Sequence, residues 1–356
     1  MTTLAHTSDA NRPAAYNEGA KPSREYYVGK LSRQVWFLIA VLAASAGVAG
    51  YLAFGQNGFR GSAPEATASR LTLNEIPFNG ARAYQYLEQI CAIGRRMSGT
   101  PGMQQQQALL EAHFQKLGAV VERQSWRVRH PQDGSPVALT NLIVHWHPEA
   151  RERILLCAHY DTRPYPDRDP VSPRGTFIGA NDGASGVALL MELGHEMASL
   201  EPNYGVDFVF FDAEEFIFEE GRDNYFLGST YFARDYIGDP PPYRYRWAVL
   251  LDMVADADLQ IYYERNTMGW ADSRPLVESI WQTAARLGVS EFVPRKKHRV
   301  RDDHLPLHNT ARIPSCDIID FDYPHWHTTA DLPEQCSALS LAKVGWVVRE
   351  WLANVR

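Results

Sequence analysis

The hydrophobic positions of the chain follow two different periods beyond residue 76. Apolar residues spaced three and four apart predict helices near 81–93, 103–117, 183–199, 274–287 and 339–354. Short runs rich in Val, Ile, Leu and aromatic residues predict strands; they read AVVERQSWRV, TNLIVHWH, RILLCAHY, VDFVFFD, WAVLLDMV and SCDIIDF. Strands that alternate with helices are typical of a parallel sheet covered on both faces. We therefore expect a three-layer α/β fold, with a mostly parallel central sheet and helices on both faces.

The N-terminal region has no such alternation. Residues 35–54, VWFLIAVLAASAGVAGYLAF, form a run of twenty residues without a charge, enough for a helix to cross a bilayer core of about 30 Å. The basic residues Lys21, Arg24, Lys30 and Arg33 precede this run and few basic residues follow it closely. The positive-inside rule therefore places the N-terminal tail in the cytoplasm. The pattern predicts an uncleaved, single-pass signal anchor over residues 34–54 that binds the lipid bilayer. A cleaved signal peptide is the alternative, because ASAG offers small residues for cleavage.

Composition divides the chain into four segments. Residues 1–33 are polar and predict a disordered cytoplasmic tail. Residues 55–75 resemble a linker, and residues 76–356 form the α/β domain, which the anchor would hold on the extracytoplasmic side. Within that domain, the proline-rich segment RPYPDRDPVSPRG predicts a surface loop.

Charge and cysteine content exclude some classes of protein. The chain has 35 basic and 42 acidic residues, and its net charge of −7 argues against nucleic acid as a partner. The four cysteines form no CxxC pair, so neither a zinc ribbon nor a disulfide scaffold is predicted. One disulfide is compatible with the sequence, which does not identify a pair.

Charged side chains gather where the predicted strands end. The run ILLCA leads into His159, VDFVFF leads into Asp212, Glu214 and Glu215, and WAVLL leads into Asp252. Ligands of such sheets bind beyond the carboxyl ends of the strands. We therefore expect these side chains to lie at one edge of the sheet. If the backbone there is extended, the adjacent glutamates point to opposite sides.

Two further segments complete a candidate metal site. Asp182 lies in a glycine-rich turn before a helix, and His327 lies in PHWHTTAD. Zinc binds imidazole nitrogen and carboxylate oxygen, and a cation would relieve the repulsion between clustered acids. Taken singly, Asp182 could be a helix cap, Asp252 a turn former and His159 a structural histidine. Their convergence with Glu215 and His327 favours a metal site.

Six motifs then resemble a known family: CAHYD, GANDGASGVALLMEL, FFDAEE, FLGSTYF, LLDMV and YPHWHTTAD. The resemblance, over residues 76–356, is to the co-catalytic zinc aminopeptidases and to their relatives, the glutaminyl cyclases of animal type. By resemblance to the aminopeptidases, two zinc ions would be bound, with Asp182 bridging them. Glu215 and His327 would bind one ion, His159 and Asp252 the other, and Glu214 would be the general base.

The cyclases imply a different use of the same positions. One Zn2+ would be bound by Asp182, Glu215 and His327, and Glu214 would transfer protons. Asp252 would instead join a hydrogen-bond network with Asp302, the first acid of RDDH. That motif, and a tryptophan directly before the last ligand, resemble the cyclases more than the aminopeptidases.

The resemblance therefore favours zinc-dependent cyclisation of N-terminal glutamine in peptides or proteins. The expected catalytic residues are Glu214, Asp302 and Asp252. Trp326, Tyr323 and Asp317 are the expected substrate contacts, although animal cyclases have histidine at the position of Asp317. A dinuclear aminopeptidase is the alternative, and a catalytically inactive interaction module is a third hypothesis.

Overall fold

The structure, a computed structural model, describes residues 68–356. The predicted tail, the predicted membrane anchor and residues 55–67 of the predicted linker lie outside this range. Within it, no helix combines the length and the apolar character needed to cross a membrane. Residues 68–75 are the described part of the predicted linker. There, Leu73–Glu75 form a short 3-10 helix, and the Ser69 hydroxyl donates to Glu291 Oε1 at 3.0 Å.

The strands follow the predicted apolar runs, with two additional short strands. In chain order they are β1 (Val120–Arg129), β2 (Pro136–Trp146), β3 (Glu152–His159), β4 (Gly205–Phe211), β5 (Arg244–Asp252), β6 (Ile261–Tyr263), β7 (Phe292–Lys296) and β8 (Ser315–Ile319). Six of them form the central sheet in the order β1-β2-β4-β3-β5-β8, and β6 pairs with β7 in a separate sheet. The predicted α/β class with a central sheet is confirmed.

The central sheet is mixed. Strands β4, β3, β5 and β8 are parallel, whereas β1 pairs antiparallel with β2, and β2 with β4. The short connection between β1 and β2 accounts for their pairing, because short turns join antiparallel neighbours. His130 N donates to Ser135 O at 2.8 Å across that turn.

The helices cover both faces of the sheet. They are α1 (Gly80–Cys91), α2 (Pro101–Lys116), α3 (Ser185–Met197), α4 (Leu227–Gly238), α5 (Arg274–Leu287), α6 (His304–Asn309) and α7 (Ala338–Asn354). Five match the predicted helices, while α4 and α6 were not predicted. The buried face of α4 includes the small residues Gly228 and Ser229, which carry no apolar signal, and α6 has only six residues.

Successive residues of β3 show how the core is divided. Leu156 and Ala158 pack in the larger hydrophobic cluster, with α1, α2, α3, α5 and α7. Leu155 and Cys157 point to the opposite face and pack with α4 and α6. Side chains of a strand alternate between faces, so residues 154–158 of β3, which are buried on both faces, are all apolar. The polar residues that follow such strands therefore mark the edge of the sheet.

Candidate metal centre

Three parallel strands end at the same edge of the sheet, where the final residues of β3 and β5 and the residues after β4 come together. His159 ends β3, Glu214 and Glu215 follow β4, and Asp252 ends β5. All four side chains are buried. The structure thus brings together the acids and the histidine that the strand-end pattern selected.

Asp182 reaches the same place from the turn before α3. Gly183, the next residue, has a φ of +91°, and a Cβ there would lie 2.6 Å from the carbonyl oxygen of Asp161. Only glycine allows this turn to approach β3 so closely. The glycines around Asp182 therefore serve its placement.

The first candidate ligand set is Asp182, Glu215 and His327. His327 Nε2 lies 2.8 Å from Glu215 Oε1 and 3.7 Å from Asp182 Oδ2. One ligand atom of each residue lies within 4.8 Å of the others. Imidazole nitrogen and two carboxylates at this spacing form the three-ligand set that catalytic zinc uses, with a fourth position open.

A second set shares Asp182. His159 Nε2 lies 3.2 Å from Asp182 Oδ1 and 3.3 Å from Asp252 Oδ1. These three residues also have ligand atoms within 4.8 Å of one another. The geometry therefore accommodates one metal ion or two, with Asp182 between the positions.

Two buried oxygens indicate that a cation belongs here. Asp182 Oδ2 and Glu215 Oε2 have no hydrogen-bond partner among the described residues. A buried polar atom without a partner costs about 1–3 kcal/mol, and more when it is charged. A divalent cation between the two carboxylates would supply the missing partner, so the residues present fit zinc.

The acids and the histidine shift one another's pKa in the metal-free protein. Burial and the neighbouring Glu215 raise the pKa of Asp182 to about 6. Burial would also raise the pKa of Glu215, but His327 and Arg163 outweigh it and lower the value to about 2. Burial would lower the pKa of His327, but Glu215 and Asp167 raise it to about 9. The metal-free site therefore holds a protonated His327 at neutral pH.

Arg163 and Asp167 support the first ligand set, and sequence reasoning missed both. Arg163 Nη1 donates to Glu215 Oε1 at 3.2 Å, and its Nε donates to Asp167 Oδ1 at 2.9 Å. Asp167 Oδ1 lies 3.1 Å from His327 Nδ1. A carboxylate at the second nitrogen of a histidine ligand orients the ring and directs the other nitrogen to the metal. The prediction that RPYPDRDPVSPRG is a surface loop is wrong for Arg163, which is buried.

Asp161, in CAHYD, orients the two adjacent glutamates. Its carboxylate accepts the backbone N–H of Glu214 at 3.0 Å and that of Glu215 at 3.1 Å. Ala213 precedes them with a φ of 58°, in the left-handed region. This bend and the two hydrogen bonds fix the separate directions of the glutamate side chains.

Asp331 has the corresponding role for Asp182. Its carboxylate accepts the N–H of Asn181 at 2.8 Å and of Asp182 at 3.1 Å. The Tyr323 hydroxyl donates to Asp331 Oδ1 at 2.8 Å. Tyr323 is buried behind the ligand and is absent from the residues lining the cavity. Its predicted contact with substrate remains a prediction, and its observed contact supports Asp331.

A cavity of about 500 Å³ opens onto these residues. Glu214, Asp252 and Asp302 line it beside the candidate ligands, as does Trp326. Burial and then Glu215 raise the pKa of Glu214 well above its usual value. The Trp326 ring centre lies 4.1 Å from that of His327. The predicted catalytic acids and the predicted aromatic wall thus share one cavity.

Asp302 and Asp317 are both buried, but only Asp302 lines the cavity. Asp302 Oδ1 accepts the N–H of Asp303 at 2.6 Å, while Oδ2 has no partner among the described residues. Burial, then Asp252, raise the pKa of Asp302 well above its usual range. Asp317 lies in β8, with Oδ2 3.5 Å from His304 Nδ1. It does not line the cavity, so its predicted substrate contact stays a prediction.

The family model for peptidase family M28 matches residues 141–352. This range contains all the candidate ligands. Among curated proteins, the chain is similar to a glutaminyl-peptide cyclotransferase of Drosophila melanogaster, 26% identical over 212 residues. That match covers 54% of this chain and 58% of the fly protein's length.

Two solved structures extend the comparison. The glutaminyl cyclase of Fimbriiglobus ruber is 40% identical, with a TM-score of 0.75, and the match covers 82% of this chain and 99% of that one. A Zn-dependent exopeptidase from Parabacteroides distasonis is 32% identical, with a TM-score of 0.72 and coverage of 78% and 98%. The zinc-dependent relative agrees with the ligand types assembled here.

Proposed function

The chain belongs to peptidase family M28, and we propose that it cyclises the N-terminal glutamine of peptides or proteins to pyroglutamate, with release of ammonia. The observation that carries this proposal is that the first ligand set, Glu214 and Asp302 all line one cavity. The likeness to the Fimbriiglobus ruber glutaminyl cyclase, at 40% identity, supports it. Zinc is the cofactor that the family and the ligand types imply.

The reaction takes place within one residue. The α-amine of glutamine attacks the side-chain amide carbon, a new C–N bond closes the five-membered ring, and the old amide C–N bond breaks. The amine loses one proton and the departing nitrogen gains one, so ammonia leaves and no water is consumed. Zinc held by Asp182, Glu215 and His327 would supply Lewis-acid polarisation of the amide carbonyl.

Glu214 is the proposed proton carrier. Its carboxylate lines the cavity next to Glu215, and Asp161 fixes its backbone. A side chain in this position can accept the proton from the attacking amine and return it to the leaving nitrogen. General acid–base catalysis of this kind contributes about 10²- to 10⁴-fold to a rate.

Asp302 and Asp252 are proposed to act together as a hydrogen-bonding pair. Burial and then the neighbouring Asp252 raise the pKa of Asp302 well above its usual range, which favours the protonated form of Asp302. A protonated Asp302 can donate a hydrogen bond to the substrate. Trp326, Phe321 and Ile319 supply apolar surface in the same cavity, suited to the methylene groups of glutamine.

We propose one zinc ion per chain. The second candidate function is a dinuclear aminopeptidase that hydrolyses N-terminal residues, and the observation that favours it is the intact set of His159, Asp182 and Asp252. The two functions differ in the use of Asp252. It is a metal ligand in the aminopeptidase and a partner of Asp302 in the cyclase.

One experiment separates the two functions. The purified full-length protein is incubated with a Gln-initiated peptide and with a Leu-initiated chromogenic substrate, and the metal content is measured by mass spectrometry. We expect ammonia release from the first substrate, none of the chromogenic amine from the second, and one zinc per chain. Hydrolysis of the leucine substrate without cyclisation, together with two zinc ions, would refute the cyclase assignment.

We also propose that residues 34–54 anchor the enzyme in a bilayer, with the catalytic domain on the extracytoplasmic side. The proposal rests on the uncharged run and on the basic residues before it. Alkaline extraction of membranes should leave the full chain in the pellet. Protease added outside spheroplasts or sealed vesicles of known orientation should reach the catalytic domain, and full protection there would refute the orientation.

A further inference from the structure

Three exposed arginines surround the mouth of the cavity: Arg168, Arg299 and Arg301. None of them forms an ion pair with a carboxylate anywhere in residues 68–356. The whole chain carries a net charge of −7. The local excess of positive charge therefore does not follow from overall composition.

The acidic residues at the same rim are already engaged. Asp167 Oδ1 lies 2.9 Å from Arg163 Nε, and Glu220 Oε2 lies 3.7 Å from Arg163 Nη2. The Tyr225 hydroxyl also donates to Glu220. Arg163 pairs with both carboxylates but neutralises only one negative charge. The three outer arginines outnumber the remaining carboxylate, so the rim keeps a positive potential.

The loop that presents two of the arginines is anchored between them. Val300 is buried; its N–H donates to Glu264 Oε1 at 3.0 Å, and its carbonyl accepts from Asn266 Nδ2 at 2.9 Å. Arg299 Nη1 donates to Asn266 Oδ1 at 2.6 Å. The two arginines thus flank a fixed point of the backbone, and Asn266 holds one of them without neutralising it.

Aromatic rings hold the other guanidinium groups. The Arg168 guanidinium lies 3.9 Å from the centre of the Trp326 ring, and that of Arg301 lies 5.6 Å from the Tyr225 ring. Stacking uses the face of a guanidinium and leaves the N–H groups at its edge free to bind a carboxylate. The arginines are therefore oriented and still available as donors.

We propose that this mouth selects peptides with acidic side chains at the second to fourth positions. The inference rests on the proposed function, in which only the N-terminal glutamine enters the cavity and the following residues leave through the mouth. Aspartate or glutamate there would meet Arg168, Arg299 and Arg301. Lysine or arginine at the same positions would be repelled.

The expected selectivity is moderate because the contacts are exposed. An exposed arginine–carboxylate contact changes an equilibrium by about two- to fivefold at most, and salt screens it. Two or three such contacts, with electrostatic steering of the encounter, give a preference of about tenfold in kcat/KM. At 0.5 M NaCl the preference should shrink to about twofold or less.

The test compares three C-terminally amidated peptides that begin with Gln-Glu-Glu, Gln-Ala-Ala and Gln-Lys-Lys. Ammonia release from each is measured with the zinc-loaded full-length protein, at low and at high salt. We expect kcat/KM to fall in that order at low salt. In the double variant Arg299→Gln and Arg301→Gln, kcat/KM for the Gln-Glu-Glu peptide divided by kcat/KM for the Gln-Lys-Lys peptide should fall at least threefold.

Arg127→Gln is the matched control, because Arg127 is exposed in β1 and does not line the cavity. This variant should keep the wild-type ratio. Equal kcat/KM for all three peptides, or an unchanged ratio in the double variant, would overturn this inference alone. If none of the peptides releases ammonia, the proposed function is refuted as well.

Discussion

Replacing Asp161 by asparagine tests whether the direction of Glu214 and Glu215 depends on one buried carboxylate. Asp161 is fully buried, and each of its oxygens accepts one of the two glutamate N–H groups, at 3.0 and 3.1 Å. Asparagine has nearly the same shape and one acceptor oxygen. In the variant, one backbone N–H must therefore face an amide NH2 group, which is also a donor.

The cost of Asp161→Asn follows from these two bonds. A hydrogen bond to a charged group stabilises by about 1.5–3 kcal/mol, and a buried donor left without an acceptor costs about 1–3 kcal/mol. The terms overlap, so we expect the free energy of unfolding to fall by about 3 kcal/mol. For a domain of this size, that corresponds to a Tm lower by about 5 °C. A shift of Glu214 by about 1 Å would reduce kcat about 100-fold.

Differential scanning calorimetry and ammonia release measure both effects. Asp239→Asn is the matched control, since Asp239 is exposed and its side chain makes no hydrogen bond within the described residues. That control should keep the wild-type Tm and rate. If Asp161→Asn unfolds within 2 °C of the wild type and turns over normally, the orientation of the glutamates does not depend on Asp161.

Three further predictions concern the site. Glu214→Gln should lower kcat by about 10²- to 10⁴-fold and keep zinc, whereas Glu215→Ala should lose zinc; a near-normal rate in the first variant would contradict its role as proton carrier. Because Glu215 and Asp167 outweigh burial and raise the pKa of His327 to about 9, zinc must displace a proton. The affinity of the protein for zinc should therefore fall about tenfold per pH unit as the pH drops from 9 to 7. Calorimetry in buffers of different ionisation enthalpy measures this affinity, and a constant value would contradict the prediction. Tyr323→Phe should destabilise the protein by about 1 kcal/mol and leave KM unchanged, and a KM raised fivefold would instead place Tyr323 against the substrate.

The strand-end pattern was sufficient to locate the site. His159 and Asp252 directly follow the apolar runs ILLCA and WAVLL, and Glu215 lies four residues after the run FVFF; all three runs are buried. A charged residue at the end of such a run must lie at the edge of the sheet. The structure agrees with this inference because it depends on burial and strand direction, and not on details of packing.

The residues that support the ligands could not be found this way. Arg163 contacts Glu215 52 positions away, and Asp331 contacts Asp182 149 positions away. Each occupies a segment without helical or strand periodicity, so no local pattern assigns it a partner. Arginine followed by aspartate four positions later, directly after CAHYD, was the available signal. The role of Asp167 depends on its contact with His327, and the fold brings these two residues together from distant parts of the sequence.

The antiparallel pair β1 and β2 was also beyond the sequence pattern. The hydrophobic patterns of the two strands are compatible with parallel or antiparallel pairing. Only the short turn between the strands fixes the antiparallel arrangement. Helix α4 begins after Phe226, which has a φ of 60°. Sequence gives no reason to expect a left-handed phenylalanine. This unpredicted helix therefore begins where the backbone departs from its usual conformation.

Those departures concentrate around the candidate centre. Ala213, before Glu214, has a φ of 58°, Met253, after Asp252, has 46°, and His327 itself has 58°. A residue other than glycine in this region costs about 1 kcal/mol or more and persists only where surrounding contacts impose it. Asp167 contacts the His327 ring, and Asp161 accepts the backbone N–H groups of the two residues after Ala213. Hydrogen bonds and packing thus impose the backbone conformations that direct the candidate ligands toward one another.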